Sequence, residues 1–253
     1  MEYLRAAIQF ITILPAGKTP AYHPREMIAF FPAVGLILGL ILAVFDAIFL
    51  RLWPWSMVPP VLDIVLLIFL TGALHIDGLA DSADGLFGHR DKETVLAIMK
   101  DSRIGVMGMT AVICGLGIKF AGLSGLPPSM SLARFLILLV VPGLARSAMI
   151  FAIHWLPYGR PAGGTGFDLF EKPIRLTDYW GLGLCLLISL FLGWRGILMI
   201  IGFFAALAGI LFYYRRRMGC ITGDMLGAMT EAIESVLFLV VCMGGTAFLA
   251  GLP

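Results

Sequence analysis

The sequence predicts an all-α fold, a polytopic membrane helix bundle of about seven transmembrane helices, with residues 1–253 as a single integral membrane domain and the N-terminus cytoplasmic. Three observations predict it. Hydrophobic residues make up 60% of the chain and charged residues 13%, whereas soluble domains hold roughly 45–50% and 25%. Apolar runs recur at lengths near the roughly 20 residues a helix needs to cross hydrocarbon. Cations collect in alternate connections between those runs.

In chain order, the first element is a short apolar run from Ile8 to Leu14, preceded only by Arg5. No small-residue cleavage signal follows it, so it reads as a retained amphipathic or interfacial helix. Spans follow at Met27–Leu50, Val58–Leu74, Ile104–Leu123, Leu132–Leu156, Tyr179–Leu192, Ile197–Tyr214 and Ile233–Leu252. The fifth is short and forms a hairpin with the sixth around Gly193 to Gly196. Of the 18 cations, 13 fall before span one or after spans two, four and six, against 2 (Arg51 and Arg195) in the other connections. By the positive-inside rule the richer side is cytoplasmic, and seven crossings put the C-terminus opposite. Arg215 to Arg217 then act as a topology anchor. A net charge of +2 gives no reason to expect a nucleic-acid partner. Cys114, Cys185, Cys220 and Cys242 form no CxxC pair and read as ordinary buried residues.

Apart from Asp46 and Asp63, the acidic residues lie on the cation-rich side. Residues 75–85, HIDGLADSADG, directly continue span two, and on one continuous helix Asp77, Asp81 and Asp84 share a face at i, i+4 and i+7. Three like charges there call for a counter-charge. Oxygen ligands suit a hard divalent ion such as Mg²⁺, and the other reading is a solvated acidic helix end. Gly78, Gly85 and Gly88 favour a site, because glycines weaken a helix unless backbone or ligand must approach closely. In TGDMLGA, 222–228, Asp224 shares a face with Glu231, on a helix starting near Thr222. Lys100 and Arg103, in MKDSRIGVMG (99–108), read either as phosphate ligands or as a juxtamembrane charge belt. Arg160 lies in a Gly-rich loop, 158–166, that is either a connector or an anion nest. Arg146 falls near mid-bilayer and must face the interior, against Asp46, Asp63 or a substrate anion. Lys119 and Arg134 are expected to snorkel to the outer interface.

The three strings at 75–85, 99–108 and 222–228, with weaker echoes in FITILP (10–15) and FFPAVGLILG (30–39), resemble the signature segments of the cobalamin synthase family, the adenosylcobinamide-GDP ribazoletransferases. The likeness runs across nearly the whole chain. It implies a Mg²⁺-dependent enzyme that joins α-ribazole or its 5′-phosphate to adenosylcobinamide-GDP and releases GMP, a late step of cobalamin nucleotide-loop assembly. Under that reading Asp77, Asp81, Asp84 and Asp224 hold the metal, Asp84 or Glu231 accepts the hydroxyl proton, and Lys100, Arg103, Arg146 and Arg160 hold substrate phosphate. The expected partners are those substrates and the lipid bilayer, with self-association left open. The implied location is a bacterial cytoplasmic (inner) membrane, with the site facing the cytoplasm. Two other readings rank below it. A CDP-alcohol phosphotransferase would carry an AR pair where this chain has Ala80-Asp81, and a cation-coupled transporter would place its carboxylates at mid-membrane.

Overall fold

The computed structural model describes residues 2–17, 23–54, 56–160 and 166–243. The α-helices among them are α1 (Glu2–Ile11), α2 (Pro24–Met27), α3 (Phe31–Leu52), α4 (Val58–Leu70), α5 (Leu74–Leu86), α6 (Lys92–Ile98), α7 (Val106–Ser124), α8 (Leu132–Trp155), α9 (Trp180–Leu190), α10 (Trp194–Arg217) and α11 (Gly223–Val241). Single 3₁₀ turns add Ile28–Phe30, Phe167–Phe170 and Leu176–Tyr179, and no strand occurs among the described residues.

By length and composition four helices can cross a membrane: α3 with the turn before it, α7, α8 and α10. A fifth span is added if α4 and α5 together count as one. The other two of the seven expected spans fall short for physical reasons. Helix α9 has only 11 residues, and α11 carries Asp224, Glu231 and Glu234 along its length. The expected last span began at Ile233, but the helix begins ten residues earlier, and residues 244–253 lie outside those described.

Helix α8 is the central pillar, buried on nearly every side, whereas α7 and α10 turn most of their surface outward. Their outward side chains are large and apolar, with Ile113 63% and Phe212 61% exposed, as a lipid-facing surface requires. Against α8 packs α3, whose Gly35 and Gly39 lie so close to the backbone of Pro142, Gly143 and Leu139 that a methyl at either position would overlap it. This small-xxx-small spacing lets two helix backbones touch without hydrophobic drive from water.

Two sequence expectations change here. The acidic stretch does not continue span two as one helix, because the chain bends by 89° between α4 and α5. Gly72 and Ala73 both adopt left-handed backbone there (φ 59° and 60°), a conformation that ends a right-handed helix. Nor do Lys119 and Arg134 snorkel: they are 1% and 2% exposed. Arg134 forks onto Asp46 at 2.5 and 2.6 Å and donates to Pro127 O at 2.7 Å. The partners were near in space although far apart in sequence. A third expectation, that all four cysteines are buried, holds only for Cys185 and Cys220: Cys114 is exposed and Cys242 half-buried.

Candidate active site

After the bend, α5 runs antiparallel to both α7 and α11. Leu79 faces Gly115 while Asp84 faces Gly108, and His75 faces Gly227 while Gly78 faces Asp224. Glycine sets how close these helices come. A methyl on Gly78 would stand 2.5 Å from the Asp224 carbonyl oxygen, and one on Gly227 would stand 3.2 Å from His75 Cα. The expectation that Gly78 serves close approach is therefore met by the backbone of Asp224. Gly85 packs on the Met99 side chain, and Gly88 is required by its φ of 134°.

This crossing brings Asp77 and Asp81 of α5 beside Asp224 of α11. Asp81 lies in the field of Asp77, Asp224, Asp84 and Arg160. Asp77 is exposed, and Asp81 and Asp224 are half-buried. Among the described residues the cation of the cluster is Arg160, whose Nη2 donates to Asp224 Oδ2 at 2.8 Å. Its loop is fixed by backbone bonds from Gly159 N to Ile221 O (2.8 Å) and from Ile221 N to Pro157 O (3.0 Å). Residues 161–165 of the Gly-rich loop lie outside those described. Thr222 caps α11, its Oγ1 accepting from Met225 N at 3.3 Å.

Among the described residues no three His, Cys, Asp or Glu side chains form a ready-made metal cage. Three neighbouring carboxylates with one guanidinium beside Asp81 and Asp224 nevertheless leave an excess of negative charge made of hard oxygen donors. Mg²⁺, which takes one or two carboxylates and keeps water and phosphate for its other positions, fits such a set better than Zn²⁺ or Ca²⁺ does.

Asp84 is differently engaged. Its Oδ2 accepts from Gly105 N at 2.6 Å and its Oδ1 from Gly108 N at 2.8 Å. The start of α7 has no capping side chain of its own, so a carboxylate from α5 satisfies its orphan amides. A methyl at either glycine would strike that carboxylate.

Deeper in the bundle lies a second set of charges. Lys119 Nζ donates to Glu231 Oε2 at 2.6 Å and to Glu234 Oε1 at 2.8 Å, and Arg146 pairs with the other oxygen of Glu234. Arg146 Nη2 lies 3.4 Å from His75 Nδ1. Two sequence expectations are corrected by this network. Arg146 meets neither Asp46 nor Asp63, because Arg134 occupies Asp46, and its fully buried guanidinium offers no open face to a phosphate. Glu231, 6% exposed, has its charge committed to Lys119.

The chain matches the family model described as cobalamin-5-phosphate synthase over residues 3–243. It belongs to the cobalamin-5-phosphate synthase family. Curated relatives are named adenosylcobinamide-GDP ribazoletransferase. One from Pseudomonas putida strain KT2440 is 37% identical over 94% of this chain and 97% of its own. One from Acinetobacter baumannii ATCC 17978 is 37% identical over 91% and 93%, and one from Desulforamulus reducens is 36% identical over 95% and 96%. No solved structure matches the chain.

In this member of the cobalamin-5-phosphate synthase family, Lys100 and Arg103 lie just before α7, and Met99 O, next to Lys100, accepts from Arg160 Nη2 at 3.4 Å. Arg103 grips Asp101, with its Nε at 2.9 and 3.1 Å from the two carboxylate oxygens, and holds that carboxyl down at about 2. Arg103 and Arg90 line an open depression of about 350 Å³ that also touches Asp84. Lys100 is exposed nearby in sequence. Sequence reasoning missed Arg90, His75, Lys119 and Glu234. The available signal was Lys119 itself, since a lysine inside an apolar span demands a buried carboxylate.

Proposed function

We propose that this chain is an adenosylcobinamide-GDP ribazoletransferase, joining α-ribazole or its 5′-phosphate to adenosylcobinamide-GDP with release of GMP. The observation that supports it most is the crossing of α5 and α11, where Asp77, Asp81 and Asp224 cluster and Arg160 is the cation beside them among the described residues, in a chain whose relatives carry that activity in their names. The reaction forms a bond between a ribose hydroxyl oxygen and the cobinamide-side phosphorus, and the bond from that phosphorus to the GMP oxygen breaks.

Asp77, Asp81 and Asp224 are the residues that would hold Mg²⁺. Bound there, the ion would supply neutralisation of phosphate charge, which with positioning is most of what displacement at a diphosphate needs. Arg160, which donates to Asp224 through Nη2, would donate to a phosphate oxygen through its other N–H groups. Of the acceptors expected for the hydroxyl proton, Asp84 serves two amides and Glu231 serves Lys119. Asp77 is counted among the metal ligands, so we assign the proton to solvent water at the exposed edge of the cluster. The cation-rich connections support a cytoplasmic site in a bacterial inner membrane.

The test is purified protein incubated with adenosylcobinamide-GDP and α-ribazole, with and without Mg²⁺, read by product mass and GMP release. Mg²⁺-dependent formation of both products is expected. Absence of GMP under all conditions overturns the proposal.

A further inference from the structure

A third group of charges lies at the opposite end of α8 from the Arg160 loop. Arg134 stands in the first turn of α8, Asp46 in α3 and Asp63 in the second turn of α4, and each is 2% exposed or less. Arg134 donates through Nε and Nη2 to the two oxygens of Asp46, and through Nη1 to Pro127 O. Asp63 receives nothing from it. Its Oδ2 stops 4.0 Å from Arg134 Nη2, and neither Oδ1 nor Oδ2 has a hydrogen-bond partner.

Two carboxyl groups therefore share one guanidinium in a place closed to solvent. With both ionised, a net negative charge would be buried and the oxygens of Asp63 would have no donor, the arrangement that burial penalises most heavily. The neighbouring helices do not supply the missing charge. Asp46 of α3 and Arg134 of α8 are the charged groups that act on Asp63. Helix α7 also packs against α4, but its buried cation, Lys119, is taken by Glu231 and Glu234.

We propose that this cluster is a binding site for one proton, held on Asp63 and shared with Asp46. The proton belongs on Asp63 because both oxygens of Asp46 already accept from a guanidinium, whereas those of Asp63 are bare. A protonated carboxyl is a donor, and Asp46 lies within hydrogen-bonding reach of it. The outcome is a relay from Asp63 through Asp46 to Arg134 that ties α4 to α3 and α8 and carries no net charge. It anchors the limb that precedes the 89° bend into α5.

Asp63→Asn tests this, since the amide still donates towards Asp46 but cannot ionise. Infrared spectra of the purified protein at neutral pH should show the carbonyl stretch of a protonated carboxyl in wild type and lose it in the variant. Thermal midpoints add a second, independent sign. The fold keeps a proton that an unfolded aspartate releases above about pH 4, so wild-type stability falls relative to the variant as pH rises. The midpoint of Asp63→Asn should gain on wild type by a widening margin from about pH 5 to about pH 8. A carboxyl band that the variant leaves unchanged overturns the proposal, and so does a midpoint difference that stays constant with pH, since an ionised Asp63 would give both. A wild-type midpoint raised by Na⁺ over choline at equal ionic strength, and not raised in the variant, also overturns it by giving the place to a metal cation.

Discussion

Two groups of charges share helix α11 and could hardly differ more in their settings. At the crossing, Asp77, Asp81 and Asp224 cluster with their side chains open or half-open, and Arg160 pairs with Asp224. Farther along α11, Glu231 and Glu234 are balanced by Lys119 of α7 and Arg146 of α8, all of them 6% exposed or less. The inner set balances its own charge, which is the condition for burying charge in a bundle. The outer set does not, which is why we propose that the cation binds there. The difference teaches that the same residue types, a few turns apart on one helix, can serve structure in one place and ligand in the other.

The strongest way to break this distinction is to neutralise one member of each set. Asp81→Asn should lower kcat/KM for GMP release by about a hundredfold or more, while its thermal midpoint holds or rises slightly, because like charges are being relieved. Glu234→Ala should do the reverse. It strands Arg146 and leaves Lys119 half-served, so roughly 3–5 kcal/mol of stability is lost, seen as a fall in thermal midpoint and in yield of monodisperse protein. Normal stability in Glu234→Ala would remove the structural half of the comparison.

Asp84 sharpens the comparison because it stands between the two behaviours. If its main work is to cap α7, Asp84→Ala should cost about 1–2 kcal/mol, and Asp84→Asn should keep most activity through its remaining acceptor oxygen. An Asp84→Asn variant as inactive as Asp81→Asn would move Asp84 into the metal set. The smallest effect is expected at Arg103, whose side chain is 87% exposed and bound to its neighbour Asp101. Arg103→Ala should leave stability unchanged and raise the KM for adenosylcobinamide-GDP no more than several-fold, by loss of one surface contact with phosphate.

Much of this molecule can be read from its sequence, and what escapes is mainly the pairing between distant segments. The predicted span Leu132–Leu156 is helix Leu132–Trp155, and Thr222 does open α11. The shared face of Asp77, Asp81 and Asp84 also survives, because all three lie on one helix. The bend before them was hidden. Thr71-Gly72-Ala73 keeps an apolar character, and a left-handed alanine gives no compositional signal. The partner of Arg146 was hidden for another reason: hydropathy placed Glu231 and Glu234 at a span's entrance, whereas α11 carries them inward beside Lys119. Asp84 shows a third kind of limit. Its spacing matches its neighbours on α5, yet the amides of Gly105 and Gly108 reach it from a separate helix.

The account stands on the outer cluster being where the cation binds, and Mn²⁺ uptake tests that most directly. Electron paramagnetic resonance of protein with adenosylcobinamide-GDP, but no nucleoside acceptor, reports bound ion without turnover. Wild-type protein should immobilise Mn²⁺ and the Asp77→Asn/Asp81→Asn double variant should not, with matching thermal midpoints. Equal uptake by both would place the ion elsewhere and contradict the account.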